Sequence, residues 1–328
     1  MTVGQAGAVW TNRYNNARTG ATLTESVLTP ATVGLAGKFG LLFSMPVDGT
    51  VQAQPLYVPG VTIKGSVHNT VFVATEHNTV YAYDADAAGP ALWTQSLGPS
   101  APSSQAIYFC ADLFPEIGVN STPVIDTASG TIYVVAKTLE AGNRHHRLHA
   151  LDITTGAERT GSPADIAPPG FNPFIEQNRA GLLLEGGVVY VAFASHCDAA
   201  NYHGWVVAFD AKTLALRGTF NDTPSGNQGG IWQSGMGLSA DGTGVYFVAG
   251  NGTFDPSGNH ANAAMTVGRL TLGSGGLAIA DFYTPYNSAN LNGSDSDLST
   301  GAVIGVGTNY LYVSGKDSHM RVLDRSNL

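Results

Sequence analysis

The sequence predicts an all-β protein, a propeller of four-stranded antiparallel blades. The first observation behind this is a recurring unit. TVYAYDADAAGPALW (79–93) returns as RLHALDITTG (147–156), WVVAFDAKTL (205–214) and MRVLDRSNL (320–328). Each copy reads apolar-x-apolar, aspartate, turn residues, then another strand. The marker aspartates Asp84, Asp152, Asp210 and Asp324 recur at roughly 60 residues or twice that, the mark of one supersecondary unit repeated radially. The skipped copy is VGRLTLGSGGLAI (267–279), with Thr271 near the aspartate position. The second observation is composition. Only 12% of residues are charged and 41 are glycine, which suits a chain of short strands and tight turns.

Taken in order, residues 1–38 read as an irregular lead-in. FGLLFSM (39–45) reads as an outer strand of a blade whose other strands come from elsewhere. The partial propeller then fills 39–328, with blades at about 55–97, 122–160, 181–220, 234–283 and 301–328. The fifth ends after its third strand. Open sheet edges are a liability, so we expect about four and a half blades of a ring of seven or eight. The loops at 109–121, 161–180, 195–204, 221–232, 250–263 and 284–300 are long and fall on one face. The opposite turns, such as TASG, EGG and ADGTG, are short. Function is expected on the long-loop face.

Some partners are excluded. The net charge is −9 with no basic cluster, which argues against nucleic acid. No apolar run is long enough to form a transmembrane segment. MTVGQAGAVW lacks the features of a signal peptide, while the low charge and many Gly, Asn and Thr suit a periplasmic or extracellular protein. Cys110 and Cys197 fall in loops of neighbouring blades, and that placement is compatible with a disulfide or with two thiols.

The long-loop face collects carboxylates, an amide, a lysine and a tryptophan: Asp198, Asn251, Asp295, Asp297, Lys316 and Trp232. Oxygen donors converging near an axis suit a hard cation, and an indole in a polar funnel offers a stacking surface for a planar ligand. The marker aspartates read more simply as turn caps. His145, His146 and His149 in HHRLH are split between strand faces by alternation, which weighs against a metal site there. Trp10, Trp93 and Trp205 read as core.

Three segments in order extend the argument: VWTNRYNNARTGATLTESVLTPATV, GGIWQSGMGLSADGTGVYFVAGNG and SGKDSHMRVLDRSN. With the repeat, they resemble the quinoprotein propellers of pyrroloquinoline-quinone (PQQ) alcohol dehydrogenases and of their non-catalytic relatives. The resemblance implies that Trp232 stacks under the quinone and that Lys316 stands beside a quinone carbonyl. It implies Asp198, Asn251, Asp295 and Asp297 as ligands of Ca²⁺ or a lanthanide, with Asp295 or Asp297 as general base. It places the family's vicinal cysteine pair at Cys110–Ala111, leaving Cys110 alone to touch the cofactor. Asp198 stands where the family has glutamate, and the arginine expected after the cysteines is absent from PEIGVNSTP. The implied function is a metal- and quinone-dependent dehydrogenase of an alcohol or sugar that passes electrons to a redox acceptor. A second expectation is a non-catalytic envelope or surface propeller that binds a protein or glycan. A third is a hydrolase or lyase built on His196, His203 and Asp198.

Overall fold

The computed structural model describes residues 7–328 apart from 24, 26, 27, 35, 36, 38, 104–109, 111, 200, 256–261 and 299. Five antiparallel blade sheets follow one another along these described residues, with their main strands in chain order, and a two-stranded sheet of Ala101–Pro102 and Glu116–Ile117 lies between the first two in sequence. The first contains Leu56–Ile63, Ser66–Ala74, Thr79–Asp84 and Trp93–Ser96. The second contains Val124–Asp126, Thr131–Glu140, Asn143–Asp152 and Ala164–Asp165. The third contains Leu183–Glu185, Val188–Ser195, Trp205–Asp210 and Leu216–Asn221, with Glu176–Gln177 added beside Ser195. The fourth contains Ser239–Ala240, Val245–Val248, Val267–Gly273 and Gly276–Tyr283. The fifth contains Ala302–Ile304, Tyr310–Ser314 and Met320–Asp324. These are the blades of a propeller.

Alternation along the strands explains why the blades stack. In TIYVVAK, Ile132, Val134 and Ala136 enter a core shared with the first blade. Tyr133 and Val135, pointing the other way, enter a core shared with the third. Two further cores join the third blade to the fourth and the fourth to the fifth. A strand buried on both faces reads as a continuous apolar run. Trp93 of the first blade packs on the turn after Asn143–Asp152, the third strand of the second, and donates from Nε1 to the Ile153 carbonyl at 2.9 Å. Gly156 makes room for it: a Cβ there would lie 2.6 Å from the indole. Trp205 is buried and Trp10 packs against the first two cores.

The marker aspartates cap the turns. Asp84, Asp152, Asp210 and Asp324 accept from the backbone N–H of Asp86, Thr154, Lys212 and Ser326 at 2.8–3.1 Å. HHRLH serves strand pairing. His145 faces Asp165 at 3.6 Å, His149 bonds Glu158 at 2.6 Å, and buried His146 meets the Glu176 carbonyl at 3.0 Å.

Two expectations are corrected. Phe39–Met45 is not a strand. None of the five sheets pairs with it, and Phe39, Leu41 and Leu42 are 66%, 85% and 90% exposed. The fourth strand of the second blade lies at Ala164–Asp165, past the expected end at 160. Between the two, the Ser162 hydroxyl accepts from Ala150 N at 2.7 Å and replaces a ladder bond.

The lead-in has an unexpected course, running along the first strands of all five blades. Val9 bridges Tyr57, and the Trp10 carbonyl accepts from Ile125. Thr11 donates to the Leu182 carbonyl. The Asn16 and Ala17 carbonyls accept from Ala240 and Ile304.

Candidate functional site

Four loops at one end of the fourth and fifth blades bring the expected residues together. Trp232 precedes the fourth blade, and Asn251 follows its strand Val245–Val248. Asp295 and Asp297 follow the short helix Ser288–Gly293, and Lys316 follows Tyr310–Ser314. The indole lies against bare backbone. A Cβ on Gly230 would come within 2.8 Å of Trp232 Nε1, and one on Gly250 within 2.9 Å of the indole and 2.7 Å of Asp297 Oδ1.

The polar groups form one network beside the indole. Asn251 donates from its backbone to Asp297 Oδ1 at 2.7 Å and from Nδ2 to Asp295 Oδ1 at 2.9 Å. The Lys316 ammonium stands 3.1 Å from Asp295 Oδ2 and 2.7 Å from Asp297 Oδ2. Asp295 is open to solvent, its side chain 65% exposed, while Asp297 is buried. The bonds from Asn251 and Lys316 hold the Asp295 carboxyl below the usual range. Partial burial alone would lower Lys316, but its bonds to Asp297 and Asp295 outweigh that and keep it firmly protonated.

Asp198 joins from the third blade, where its carboxylate accepts from the Tyr202 hydroxyl. The Tyr202 ring meets Trp232 edge-on, centroids 6.0 Å apart. Burial, and then the charges of Asp297 and Asp295, push the Asp198 carboxyl up against the pull of Tyr202 and Lys316. Excess negative charge therefore collects on this side of the indole.

A cavity of about 300 Å³ opens over Trp232, lined also by Gln52, Asp112, Asn120, Gln177, Arg179 and Ser195. Arg179 holds its guanidinium carbon 5.9 Å from the centroid of the Trp232 ring. Sequence reasoning missed Arg179, Asp112 and Tyr202. Arg179 had a signal, since it is the sole cation of the long loop at 161–180.

Cys110 stands differently from its expected place at the cofactor. Its sulfur is bonded to Cys197, with Cα atoms 5.7 Å apart. It lines a small recess with Arg144 and His196 that shares Asp112 and Leu113 with the cavity over Trp232. The same two loops are tied again by Asp112 and His196, 3.1 Å apart, with His196 Nε2 3.0 Å from Lys137 Nζ. His196 is buried, and burial pulls its imidazole down to about 4. His203 pairs with Thr223 at 3.0 Å and Asp198 with Tyr202. The hydrolase or lyase expectation fails on this point, because the three side chains are committed to different partners.

The donors suit a hard cation in chemistry, being carboxylate and amide oxygens beside a surplus of negative charge. The oxygens of Asp198, Asp295 and Asp297 do not all lie within 4.8 Å of one another, and Lys316 stands between two of them. The floor offered to a planar ring is the part of half-buried Trp232 that lines the cavity, since the backbone of Gly230 and Gly250 packs closely against its pyrrole ring.

The fold is shared with solved structures of alcohol and methanol dehydrogenases. A quinohaemoprotein alcohol dehydrogenase of Pseudomonas putida superposes with a TM-score of 0.69 at 17% identity, covering 98% of this chain and 47% of that one. The quinohaemoprotein alcohol dehydrogenase of Comamonas testosteroni gives 0.69 at 18%, covering 98% and 48%. A europium-containing methanol dehydrogenase gives 0.67 at 17%, covering 98% and 57%. The chain thus spans about half the length of the structures it matches. No family model and no curated protein matches it. At this identity the likeness establishes the fold alone, a β-propeller like those of these dehydrogenases.

Proposed function

We propose that this chain carries the cofactor face of a quinoprotein dehydrogenase that oxidises an alcohol or aldose and passes the electrons to an external acceptor. One observation carries the reading: an indole laid on bare backbone beside the network of Asn251, Asp295, Asp297 and Lys316. Trp232 would hold PQQ, and Asp198, Asn251, Asp295 and Asp297 would hold Ca²⁺ or a lanthanide. When bound, the quinone supplies a two-electron acceptor and the cation a Lewis acid. Asp295 is ionised and open to solvent, so its carboxylate can take the hydroxyl proton of the substrate. Asp297, buried, orients Asn251 and Lys316. The disulfide favours an oxidising compartment, periplasmic or extracellular.

A second reading has its own support. Lys316 already pairs with both Asp295 and Asp297, and a non-catalytic propeller would use the same loops for a protein or glycan. Titration with PQQ, in Ca²⁺ and separately in La³⁺, followed by tryptophan fluorescence, separates the two. The dehydrogenase reading expects metal-dependent saturable quenching that disappears in Trp232→Ala. Absence of quenching under both cations favours the binding module.

A further inference from the structure

We infer that Arg179 sets the charge selectivity of the cavity over Trp232, making it a site for planar rings that carry a carboxylate. The inference rests on the reading of Trp232 as a stacking floor. Arg179 makes no hydrogen bond or ion pair with the described residues, although it faces both the cavity over Trp232 and a neighbouring one of about 530 Å³. Arg179 is itself exposed, whereas the buried and half-buried arginines are engaged: Arg18 by four acceptors, Arg147 by Glu140, Arg321 by Asp317 and Arg325 by Asp241. A guanidinium has five donors in a fixed fork that matches a carboxylate edge-on. Here the fork stands over an aromatic face with its donors open to solvent.

The neighbours sharpen the choice of ligand. Gln52, Asn120 and Gln177 are neutral, so Arg179 supplies the positive charge of the lining. Asp112 is the one acid there; its carboxylate bonds His196, and its charge also acts on Arg179. An anion entering this cavity therefore meets one cation and a ring of amides, with the Asp112 charge at one wall. Trp232 takes the face of the ring and Arg179 its carboxylate.

The test uses the 328-residue chain and three probes: PQQ, quinoline-2,4-dicarboxylate and unsubstituted quinoline, followed by tryptophan quenching and equilibrium dialysis. Arg179→Gln is expected to weaken both carboxylate-bearing probes at least tenfold, Arg179→Lys to weaken them less, and neither to change quinoline. Thermal midpoints should stay at the wild-type value, because Arg179 bonds to none of the described residues. If Arg179→Gln binds PQQ as wild type does, the role of Arg179 is overturned while the quinone reading stands. If wild type binds the dicarboxylate through Arg179 but not PQQ, the quinone reading falls and Arg179 keeps its role. If neither anion binds, both fall.

Discussion

Glu176 is the carboxyl on which pH should act most plainly. One of its oxygens accepts from His203 N at 3.2 Å, while the other is buried without a partner. Burial pushes the group up to about 8. The unfolded carboxyl titrates at roughly 4.3, so the folded chain holds a proton that the unfolded chain gives up. That contribution to stability is complete below the unfolded value and is lost as pH rises through about 8. Lys137 works in the opposite sense: burial, with Arg144 nearby, lowers it well below the usual ammonium range, and it adds stability as pH rises. Glu176→Gln removes only the first effect. The variant's melting temperature should fall less than that of wild type between pH 6 and pH 9, with little difference at pH 5. Parallel curves for the two proteins would sink the assignment.

At the scale of elements, the repeat is a turn device, and its worth can be measured. Asp210 accepts from Lys212 N, Thr213 N and Thr213 Oγ1 at 3.0–3.1 Å. Asp210→Ala should cost about 1 kcal/mol in urea unfolding, the usual net value of such bonds. Gly156→Ala should cost more, about 2–3 kcal/mol, because it places a Cβ against Trp93 at φ +75°. Equal losses would mean that the Trp93 contact contributes little. The same elements show what was legible. The aspartates, the alternation in TIYVVAK and the clustering of Trp232, Asn251 and Lys316 are local signals, carried by residues next to strand ends. Phe39–Met45 misled because an apolar alternation predicts a strand only when a sheet edge lies beside it. Arg179 escaped because its role depends on Trp232, 53 positions later in the chain. The partner of Cys110 was open for the same reason: chain spacing does not say which loops converge.

At the scale of the whole molecule, what holds neighbouring blades together is partly apolar and partly the lead-in, and Arg18 is where the two meet. Its guanidinium is buried and donates to the Leu238 carbonyl at 2.8 Å, to Thr11 Oγ1 and the Asn12 carbonyl at 2.7 Å, and to the Leu182 carbonyl at 3.0 Å. Leu182 and Leu238 lie at the first strands of the third and fourth blades, so one side chain ties the lead-in to both. Burial pulls the group down to about 9, which records the desolvation that those four bonds offset. Arg18→Met keeps much of the volume and removes every donor. Three buried carbonyls then lose a partner, at about 1–3 kcal/mol each before relaxation, while the cost of burying the cation disappears. The net loss should be about 3 kcal/mol, and it should be local first. Amide exchange should quicken around Leu182 and Leu238 before it changes in Leu56–Ile63 of the first blade. A uniform change across all five blades would mean that the lead-in stabilises the array as a whole, and not through the seam between the third and fourth.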